Sequence, residues 1–528
     1  MIVHTPSKSL ILHVRPDKAN ALRGIFPAHH KTVHHEGHEL LALPHSLAVV
    51  KVLRNMGIRA PSPIRYYYDW PRPARFAQVF DHQYTTAEFL TLHPKCFVLN
   101  EMGTSKTASA LWAADYLMKV GRVKKVLIVA TLSTLESVWL NEIFDVCMHR
   151  TALVLHADAE KRKEMLARDV DFYIINHGGV KIVANEVIRR KDIDLIIVDE
   201  ASVYRNAQTD QYEVIERVTR DKKLWLLTGA PAPNAPTDVW ALARLVNKAL
   251  VPAHFTQFKR KTMAQVSTYK WVPRPGSHEM AYAALQPAIR FKKSDCLTLP
   301  PVTYTSRKCD LTPEQAKAYD QMKLHLVAEA QAQPITAVNA ADKISKLRQI
   351  LCGAIKDATG QYLYLPHGPR LKVLQEYIEQ AAAKVLIIVP FKGIARVLEE
   401  ELNDWHNSKG DGKYVKLVNG DVTPTERNRI FQEFRDDPLL SELVCHPQVM
   451  AHGLNMTQAD MVVFYAPIYS NDQSGQVMDR INRPGQKMHM TIGRIVASPM
   501  EQTIYAMVEG KQQGQMNMLD LFRKEVVG

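Results

Sequence analysis

Short runs of aliphatic and β-branched residues occur in two series along the chain, separated by stretches with helical periodicity. The first series is CFVL (96–99), VLIVA (126–130), FYII (172–175), LIIV (195–198) and LWLL (224–227). The second follows Pro369 and comprises VLIIV (385–389), YVKLV (414–418), MVVFY (461–465) and TIGRIV (491–496). Unbroken apolar runs of this length are typical of strands buried on both faces, and their alternation with helices favours parallel sheets. The pattern predicts an α/β protein with two tandem doubly wound domains.

The segments outside these two series differ in pattern and set the predicted domain boundaries. Residues 240–365 are rich in Ala, Gln, Lys and Leu at helical spacing, and we expect helices there. The prolines of PSPIRYYYDWPRPAR (61–75) disfavour a helix, and its aromatic side chains are expected to pack on a neighbour. The predicted parts are a small basic N-terminal accessory domain (1–62), a Pro- and aromatic-rich linker (63–75), a first α/β domain (76–245), helical insertions with a connector (246–368), a second α/β domain (369–510) and a C-terminal tail (511–528).

The formal charge of +13 over 528 residues is concentrated in two segments. Residues 1–75 hold 11 basic and 4 acidic residues, and residues 251–310 hold 10 basic and 3 acidic residues. The rest of the chain is close to neutral, so the surplus lies outside the two α/β cores. A basic surplus of this size favours a polyanionic partner, most simply a nucleic acid, and we expect these segments to contact its phosphates.

Composition excludes several other classes. Hydrophobic residues make up 46% and charged residues 23%, which excludes a wholly disordered chain. Apolar runs fall short of the ~18 residues of a membrane-spanning helix, and the first residues lack a signal-peptide pattern. The six cysteines form no CxxC pair, which argues against a zinc ribbon or a disulfide framework. Eight of the 21 histidines fall in the first 45 residues, but without an HExxH pattern; we expect a solvated or DNA-facing loop there.

The segment after the first apolar run has the order of a phosphate-binding loop. Asn100-Glu-Met-Gly103-Thr-Ser105-Lys106-Thr107 links the CFVL run to a helical stretch. Lys and Thr opening a helix suit nucleotide phosphates and Mg²⁺ respectively. The strict GxxxxGK[ST] pattern is broken, because Asn100 and Ser105 replace its two glycines. A left-handed backbone at Ser105 would cost about 1–2 kcal/mol.

Two further motifs follow apolar runs of the same series. Asp199-Glu200 ends the LIIV run, where one carboxylate can lie near a metal and the other can polarise a water molecule. Leu227-Thr228-Gly229-Ala-Pro ends the LWLL run; alone it indicates only a rigid turn, with the Thr228 hydroxyl directed toward the acidic pair.

The second series carries an arginine pair in QVMDRINRPGQ. Arg480 and Arg483 are three residues apart, which predicts that both lie on one helical face. Two arginines held together can clamp a γ-phosphate and stabilise the charge of the transition state. A solvated basic helix end is the alternative for an isolated pair of this kind.

The four motifs in this order resemble the SNF2-type members of helicase superfamily 2, over about residues 76–510. DEASVYRN is similar to the "DEAH-x-x-KN" segment, LTGAPAPN with Asp238 and Trp240 to "LTGTPLQN…ELW", and ATLSTLESVWLNEI, with Trp139 and Glu142, to the segment after the phosphate loop. IRFKKSDCLTLPP, HGLNMTQAD and DRINRPGQ resemble "RRxKxDV…LPP", "GxGLNLxxAD" and "DRxxRxGQ". The chain departs from the family at Asn100, Ser105, Ser202 and Pro484.

This resemblance implies two RecA-like domains, the cofactors ATP and Mg²⁺, and a role for each matching residue. Gln83 would bind the adenine, and the phosphate loop would comprise Gly103, Thr104, Ser105, Lys106 and Thr107. Mg²⁺ would be held by Thr107 and Asp199, Glu200 would align water, and the arginine fingers would be Arg480 and Arg483. The residues that would line the DNA track or couple it to ATP are Thr131, Ser133, Thr228, Gly453 and Asn455.

We therefore expect an ATP-driven motor that moves on double-stranded DNA by closing and opening its two α/β domains around ATP. Its size suits a bacterium or bacteriophage, and we expect a monomer in the cytoplasm, with no membrane association. One alternative is a strand-separating DNA or RNA helicase. A second is a nucleic-acid-binding protein whose altered phosphate loop no longer supports hydrolysis.

Overall fold

The computed structural model describes residues 1–508 apart from short gaps at 28–29, 36–37, 74–77, 233–234, 267–270, 297–298, 333–336, 358, 452–455, 470 and 484. The chain forms two compact units, Met1–Cys296 and Leu297–Gly528. The boundary between them lies inside the predicted connector, and the finer domain limits stay predictions.

The N-terminal segment is a four-stranded antiparallel sheet with two helices, in the strand order β1-β2-β4-β3. Its elements are β1 (Ile2–His4), β2 (Ser9–Leu12), α1 (Pro16–Ile25), β3 (Lys31–His35), β4 (His38–Pro44) and α2 (Leu47–Asn55). Leu10, Leu43 and Leu53 belong to the same buried cluster as Leu90 and Trp112 of the following α/β fold. The apolar core of this segment is therefore continuous with the rest of the first unit.

The linker packs through its aromatic side chains, as the sequence predicts. It contains one short helix, α3 (Ile64–Tyr67). Trp70 packs edge-on against Trp112, with ring centroids 5.6 Å apart, and Trp112 Nε1 donates to the Pro71 carbonyl oxygen at 2.8 Å. The Tyr68 hydroxyl donates to the buried Asp115 carboxylate at 2.7 Å. Aromatic area and these polar contacts together fix the linker on the first unit.

The main sheet of the first unit is parallel, and its seven described strands have the order β13-β5-β10-β9-β6-β8-β7. The strands are β5 (Lys95–Val98), β6 (Lys125–Ala130), β7 (Ala152–Val154), β8 (Phe172–Asn176), β9 (Ile193–Val198), β10 (Lys223–Leu227) and β13 (Ala288–Ile289). All five predicted runs are confirmed as strands. Successive residues enter two separate buried clusters, one on each face of the sheet, which explains why the runs are apolar throughout.

Helices cover both faces of this sheet. They are α4 (Asp81–Leu92), α5 (Lys106–Lys119), α6 (Asn141–Val146), α7 (Ala159–Ala167), α8 (Val180–Arg189), α9 (Asp210–Thr219), α10 (Val239–Val246), α11 (Phe255–Thr262), α12 (Ser277–Ala284) and α13 (Lys293–Cys296). A small antiparallel hairpin, β11 (Met263–Gln265) with β12 (Trp271–Pro273), interrupts the helical region. The first unit is thus a doubly wound α/β fold that continues past residue 245.

The second unit repeats the plan with six described parallel strands in the order β14-β21-β20-β17-β19-β18. Its elements are β14 (Val302–Lys308), α14 (Pro313–Ala332), α15 (Ala337–Cys352), β15 (Ala354–Lys356), β16 (Tyr362–Tyr364), α16 (Gly368–Gln380), β17 (Lys384–Ile388), α17 (Lys392–Lys409), β18 (Tyr414–Val418), α18 (Pro424–Asp436), β19 (Leu440–Cys445), β20 (Ala459–Phe464), α19 (Asn471–Ile481), β21 (Met490–Val496) and α20 (Pro499–Val508). The four predicted runs are confirmed.

Two predictions about the second half need correction. The helical interpretation of residues 240–365 misses β13 and β14, which add edge strands to the two sheets. β14 is exposed at four of its seven positions, so it lacks the apolar run that marks a central strand. The pairing of Arg480 and Arg483 on one helical face is wrong as well, because α19 ends at Ile481.

Within the described residues, no helix is both long and apolar enough to cross a membrane. The same residues contain no group of three or more His, Cys, Asp or Glu side chains arranged to hold a metal ion. The side chains of His34, His35 and His38 are outside the described part of the chain.

Candidate nucleotide-binding site

The predicted site residues of the first unit follow four neighbouring strands. Because β5, β10, β9 and β6 are adjacent and parallel, their carboxyl ends form one edge of the sheet. The phosphate loop follows β5, Thr228 follows β10, Asp199 follows β9 and Thr131 follows β6. Neighbouring strands are ~5 Å apart, so the loop and Asp199 are separated by the width of one intervening strand, ~10 Å. The sheet thus brings these motifs to one edge, in an order that differs from their order along the chain.

The loop between β5 and α5 turns sharply at two residues. Gly103 has φ +80° and Ser105 has φ +55°, both in the left-handed region, and α5 begins directly afterwards at Lys106. The left-handed backbone at Ser105, with the strain that accompanies it, is therefore present. Lys106 Nζ donates to the carbonyl oxygens of Asn100 and Glu101 at 2.8 and 3.3 Å. The ammonium group lies over the loop, at the positive end of a 14-residue helix, where phosphate groups are favoured.

Asn100 replaces the first glycine of the pattern without a left-handed backbone, and its buried side chain ties three segments together. Its Nδ2 donates to Thr86 Oγ1 of α4 at 2.9 Å, and its Oδ1 accepts from the Phe291 amide at 3.1 Å. The Thr104 hydroxyl donates to the Glu101 carbonyl oxygen at 2.8 Å and closes the loop on itself. At position 100, where the pattern has glycine, the asparagine side chain thus holds the loop against α4 and against Phe291.

Helix α4 carries Gln83 beside the loop. Gln83 Oε1 accepts the Phe80 amide at 2.9 Å, which fixes the side-chain amide at the first turn of the helix. The neighbouring His82 reaches the loop itself, with Nε2 3.0 Å from the Thr104 carbonyl oxygen. Burial lowers the His82 pKa, so the ring is neutral and donates its Nε2–H to this carbonyl. Sequence reasoning missed His82, whose only signal is its place before Gln83.

Asp199 and Glu200 occupy the end of β9. The Asp199 amide donates to the Val129 carbonyl oxygen at 2.8 Å, which continues the sheet by one residue. Asp199 Oδ1 accepts the Glu200 amide at 3.0 Å, and Asp199 Oδ2 accepts Trp139 Nε1 at 3.1 Å. Glu200 has φ +47°, a left-handed backbone that is uncommon for this residue type and found at functional sites.

The turn after β10 touches the phosphate loop. The Thr228 amide donates to the Val98 carbonyl oxygen at 3.0 Å, and the Thr228 hydroxyl accepts the Ala230 amide at 3.3 Å. At Gly229, a β-carbon would lie 3.5 Å from the Met102 amide nitrogen. The chain bends at Gly229, which lies close to Met102 of the loop, and the predicted rigidity and role of this segment stay predictions. Its continuation at Asn234 is outside the described residues.

Thr131 and Ser133 begin the helical run that follows β6. The Thr131 carbonyl oxygen accepts both the amide and the hydroxyl of Thr134, each at 3.0 Å. Ser133 Oγ is buried and has no hydrogen-bond partner among the residues that the structure describes. The nucleic-acid contact of Thr131 and Ser133 stays a prediction.

The arginine motif of the second unit is braced by its own neighbours. Arg480 Nε donates to the Met450 carbonyl oxygen at 2.9 Å, and the Met456 amide donates to the Arg480 carbonyl oxygen at 3.0 Å. Buried Gln486 donates to the Ala459 carbonyl oxygen at 2.9 Å, which anchors the turn containing Arg483. Gly453 and Asn455, the predicted DNA-track residues of this unit, lie outside the described residues.

The donor chemistry of the first unit fits the nucleotide and the metal that the sequence predicts. Mg²⁺ prefers oxygen ligands, and the Thr107 hydroxyl and Asp199 carboxylate are both oxygen donors at the carboxyl edge of one sheet. The loop provides backbone N–H groups, a helix N-terminus and Lys106 for the phosphates. The assignment of individual residues to these ligands stays a prediction.

A parallel sheet with such a loop at its carboxyl edge defines the class of phosphate-loop nucleotide-binding proteins. A model of the SNF2-related domain matches residues 71–356, and a model of the helicase conserved C-terminal domain matches residues 369–485. The first match alone covers more than half of the chain. The protein therefore belongs to the SNF2 family of the helicase superfamily and carries its ATPase domains.

The curated relatives are distant, and this chain spans 23% and 55% of the length of the two that follow. It is 23% identical over 475 residues to the Arabidopsis thaliana TATA-binding protein-associated factor BTAF1, covering 75% of this chain and 23% of that protein. It is 22% identical over 431 residues to the A. thaliana ATP-dependent DNA helicase DDM1, covering 75% and 55%. A Sulfolobus solfataricus SWI2/SNF2 ATPase core in complex with dsDNA matches with a TM-score of 0.39 and 20% identity, covering 85% of this chain and 95% of that one.

Proposed function

We propose that this chain hydrolyses ATP with Mg²⁺ and uses the cycle to move along double-stranded DNA. The observation that supports it most is the common sheet edge that carries the phosphate loop, Asp199-Glu200 and Thr131. In such an arrangement the nucleotide and the nucleic acid can be bound by loops that follow neighbouring β-strands of the same sheet. The outcome of movement would be remodelling, branch migration or annealing.

The chemistry divides among the chain's own residues. Lys106 exchanges its hydrogen bonds to the loop carbonyl oxygens for contacts with the β- and γ-phosphates, and the α5 N-terminus stabilises the negative charge of these phosphates. Glu200 accepts a hydrogen bond from the attacking water and orients it toward the γ-phosphate. Arg480 and Arg483 would stabilise the charge that develops on the γ-phosphate. Each ATP cycle would then move the chain along the DNA by a small step.

Thr107 and Asp199 would hold Mg²⁺. The ion, when bound, supplies positive charge to the phosphate oxygens. Gln83 is fixed at the start of α4, one residue after the histidine that contacts the loop, and this position suits recognition of the adenine. We further propose a monomeric protein of the cytoplasm that has no membrane partner.

An ATPase assay with and without double-stranded DNA tests the proposal. Wild type should turn over ATP, and DNA should stimulate it, whereas Lys106→Ala should fall to background because the phosphates lose their main counter-charge. Lys119→Ala is the matched control: it changes a lysine of the same helix, at the other end, whose exposed side chain pairs with Asp69. Wild-type turnover no higher than that of Lys106→Ala would refute the enzymatic proposal and favour a non-hydrolysing nucleic-acid-binding protein.

A fork-unwinding assay separates the proposed translocase from a strand-separating helicase. The translocase should displace a third strand from a triplex while leaving a bare fork annealed. Robust unwinding of the fork in the absence of bound proteins would refute translocation on intact duplex and favour the helicase.

A further inference from the structure

Trp139 makes a polar contact with the site that the mechanism above does not use. Its side chain is fully buried, and its indole Nε1–H donates to Asp199 Oδ2 at 3.1 Å. The other carboxylate oxygen, Oδ1, accepts the Glu200 amide. Each oxygen therefore accepts a hydrogen bond from an N–H donor. These two bonds fix the plane of the carboxylate.

The same residue belongs to the segment that is expected to contact nucleic acid. Helical structure runs from Leu132 through Val146, and the turn Leu135–Leu140 that contains Trp139 is a π-helix. π turns are rare and are frequent at functional sites. The Ser137 hydroxyl donates to the Ser133 carbonyl oxygen at 2.6 Å, which ties this turn to the start of the segment. One hydrogen-bonded unit thus joins Thr131 and Ser133 to the indole.

We propose that Trp139 is a positioning residue that couples nucleic-acid binding at the start of this segment to the orientation of Asp199. The proposal rests on the proposed function. A phosphate bound at Thr131 and Ser133 shifts the helical run, the indole moves with it, and the hydrogen bond turns the Asp199 carboxylate. Removal of a group that hydrogen-bonds a metal ligand changes metal affinity by ~10–100-fold, so we expect the making or breaking of this bond to alter Mg²⁺ binding.

Trp139→Phe tests this, since phenylalanine keeps an aromatic ring and lacks the N–H donor. Trp225→Phe is the matched control: Trp225 is equally buried in the same unit, and its Nε1–H donates at 3.1 Å to the His93 carbonyl oxygen, away from the motifs. Two quantities are measured: the Mg²⁺ concentration at half-maximal binding of fluorescent ADP, and the ratio of ATPase rates with and without duplex DNA. Thermal unfolding of both variants accompanies them.

In Trp139→Phe the half-maximal Mg²⁺ concentration should rise about tenfold and the DNA stimulation should fall several-fold, while Trp225→Phe stays within about twofold of wild type. Equal values for the two variants would overturn the inference. If Trp139→Phe does not fold, Trp139→Met replaces it; methionine is apolar, adapts to buried space and lacks an N–H donor, so values identical to wild type in both measurements would also overturn the inference. Failure of wild type to hydrolyse ATP would refute the proposed function, and the Mg²⁺-dependent binding of ADP would still decide the role of Trp139.

Discussion

His82 and Thr104 join the helix that carries Gln83 to the phosphate loop, through a hydrogen bond of 3.0 Å from the imidazole Nε2 to the backbone carbonyl oxygen. The imidazole is buried, with Phe80 stacked at a centroid distance of 5.6 Å and Phe291 at 6.0 Å. The loop is thus held by an imidazole N–H donor within an aromatic environment, where burial favours the neutral ring.

His82→Leu should weaken the binding of a fluorescent ATP analogue about fivefold, because a neutral hydrogen bond contributes ~1 kcal/mol. The stability that neutral His82 contributes to the first unit should be complete above pH 6.5 and be lost as the pH drops through its lowered pKa, since burial disfavours the imidazolium form, and thermal unfolding across this pH range measures the loss. His93→Leu is the control: this histidine lies just past the other end of α4 and hydrogen-bonds the Phe89 carbonyl oxygen. Equal losses in both variants would contradict a specific role for His82.

Ser105→Gly should stabilise the first unit by up to about 1 kcal/mol, because glycine removes the left-handed strain at φ +55°. The greater conformational entropy of glycine in the unfolded chain offsets part of this stabilisation. ATP turnover should change only modestly, since the loop already has this geometry. The same substitution at Ser109, inside α5, should destabilise by about 1 kcal/mol. Denaturant unfolding measures both free energies, and a very large gain in turnover for Ser105→Gly would mean that the natural loop is impaired.

The sequence predicts nine strands, of which eight are central and need apolar residues at successive positions, while β18 is an edge strand. Central β19 is missed because the polar residues Ser441 and Glu442 interrupt its apolar run. Most edge strands are missed as well. β14 has its hydrogen-bonded neighbour on one side, and its exposed residues, such as Tyr304, break the apolar run. The ends of helices are also missed by this reasoning. The i, i+3 spacing of Arg480 and Arg483 does not predict that α19 ends at Ile481.

The residues of the candidate site likewise divide into those that a local sequence pattern predicts and those that it does not. Lys106 and Asp199 are predictable, because a strand followed by a characteristic polar motif fixes their place at the carboxyl edge. His82, Asn100 and Trp139 act through contacts with residues that are distant in sequence, including a bond across 191 positions to Phe291. Such contacts depend on the order of strands in the sheet, which the local pattern leaves open.

His406 should make the second unit less stable as pH rises. Burial lowers its pKa, but hydrogen bonds to Glu442 at 3.0 Å and to Asp411 at 2.9 Å outweigh this effect, so the pKa is raised above 6.5. The stabilisation is complete below pH 6.5 and is lost as the pH rises through the folded-state pKa. His406→Gln should flatten this dependence in urea unfolding of the second unit. His489→Gln, at an exposed position, should leave it unchanged; an equal slope in wild type and His406→Gln would contradict the prediction.

The basic segments can be tested without deleting residues 1–62, whose removal would open the core shared with Leu90 and Trp112. Arg260 and Lys261 are exposed in the last turn of α11, within the basic segment 251–310. Their place at a helix C-terminus offers the simpler explanation of dipole stabilisation. If both instead contact DNA phosphates, the double change to Gln should weaken duplex binding and reduce the slope of log affinity against log salt by about 1.8. The double change of exposed Lys161 and Arg217 to Gln is the control. Fluorescence anisotropy across a salt series measures each slope, and an unchanged slope for the first pair would leave the dipole as their function.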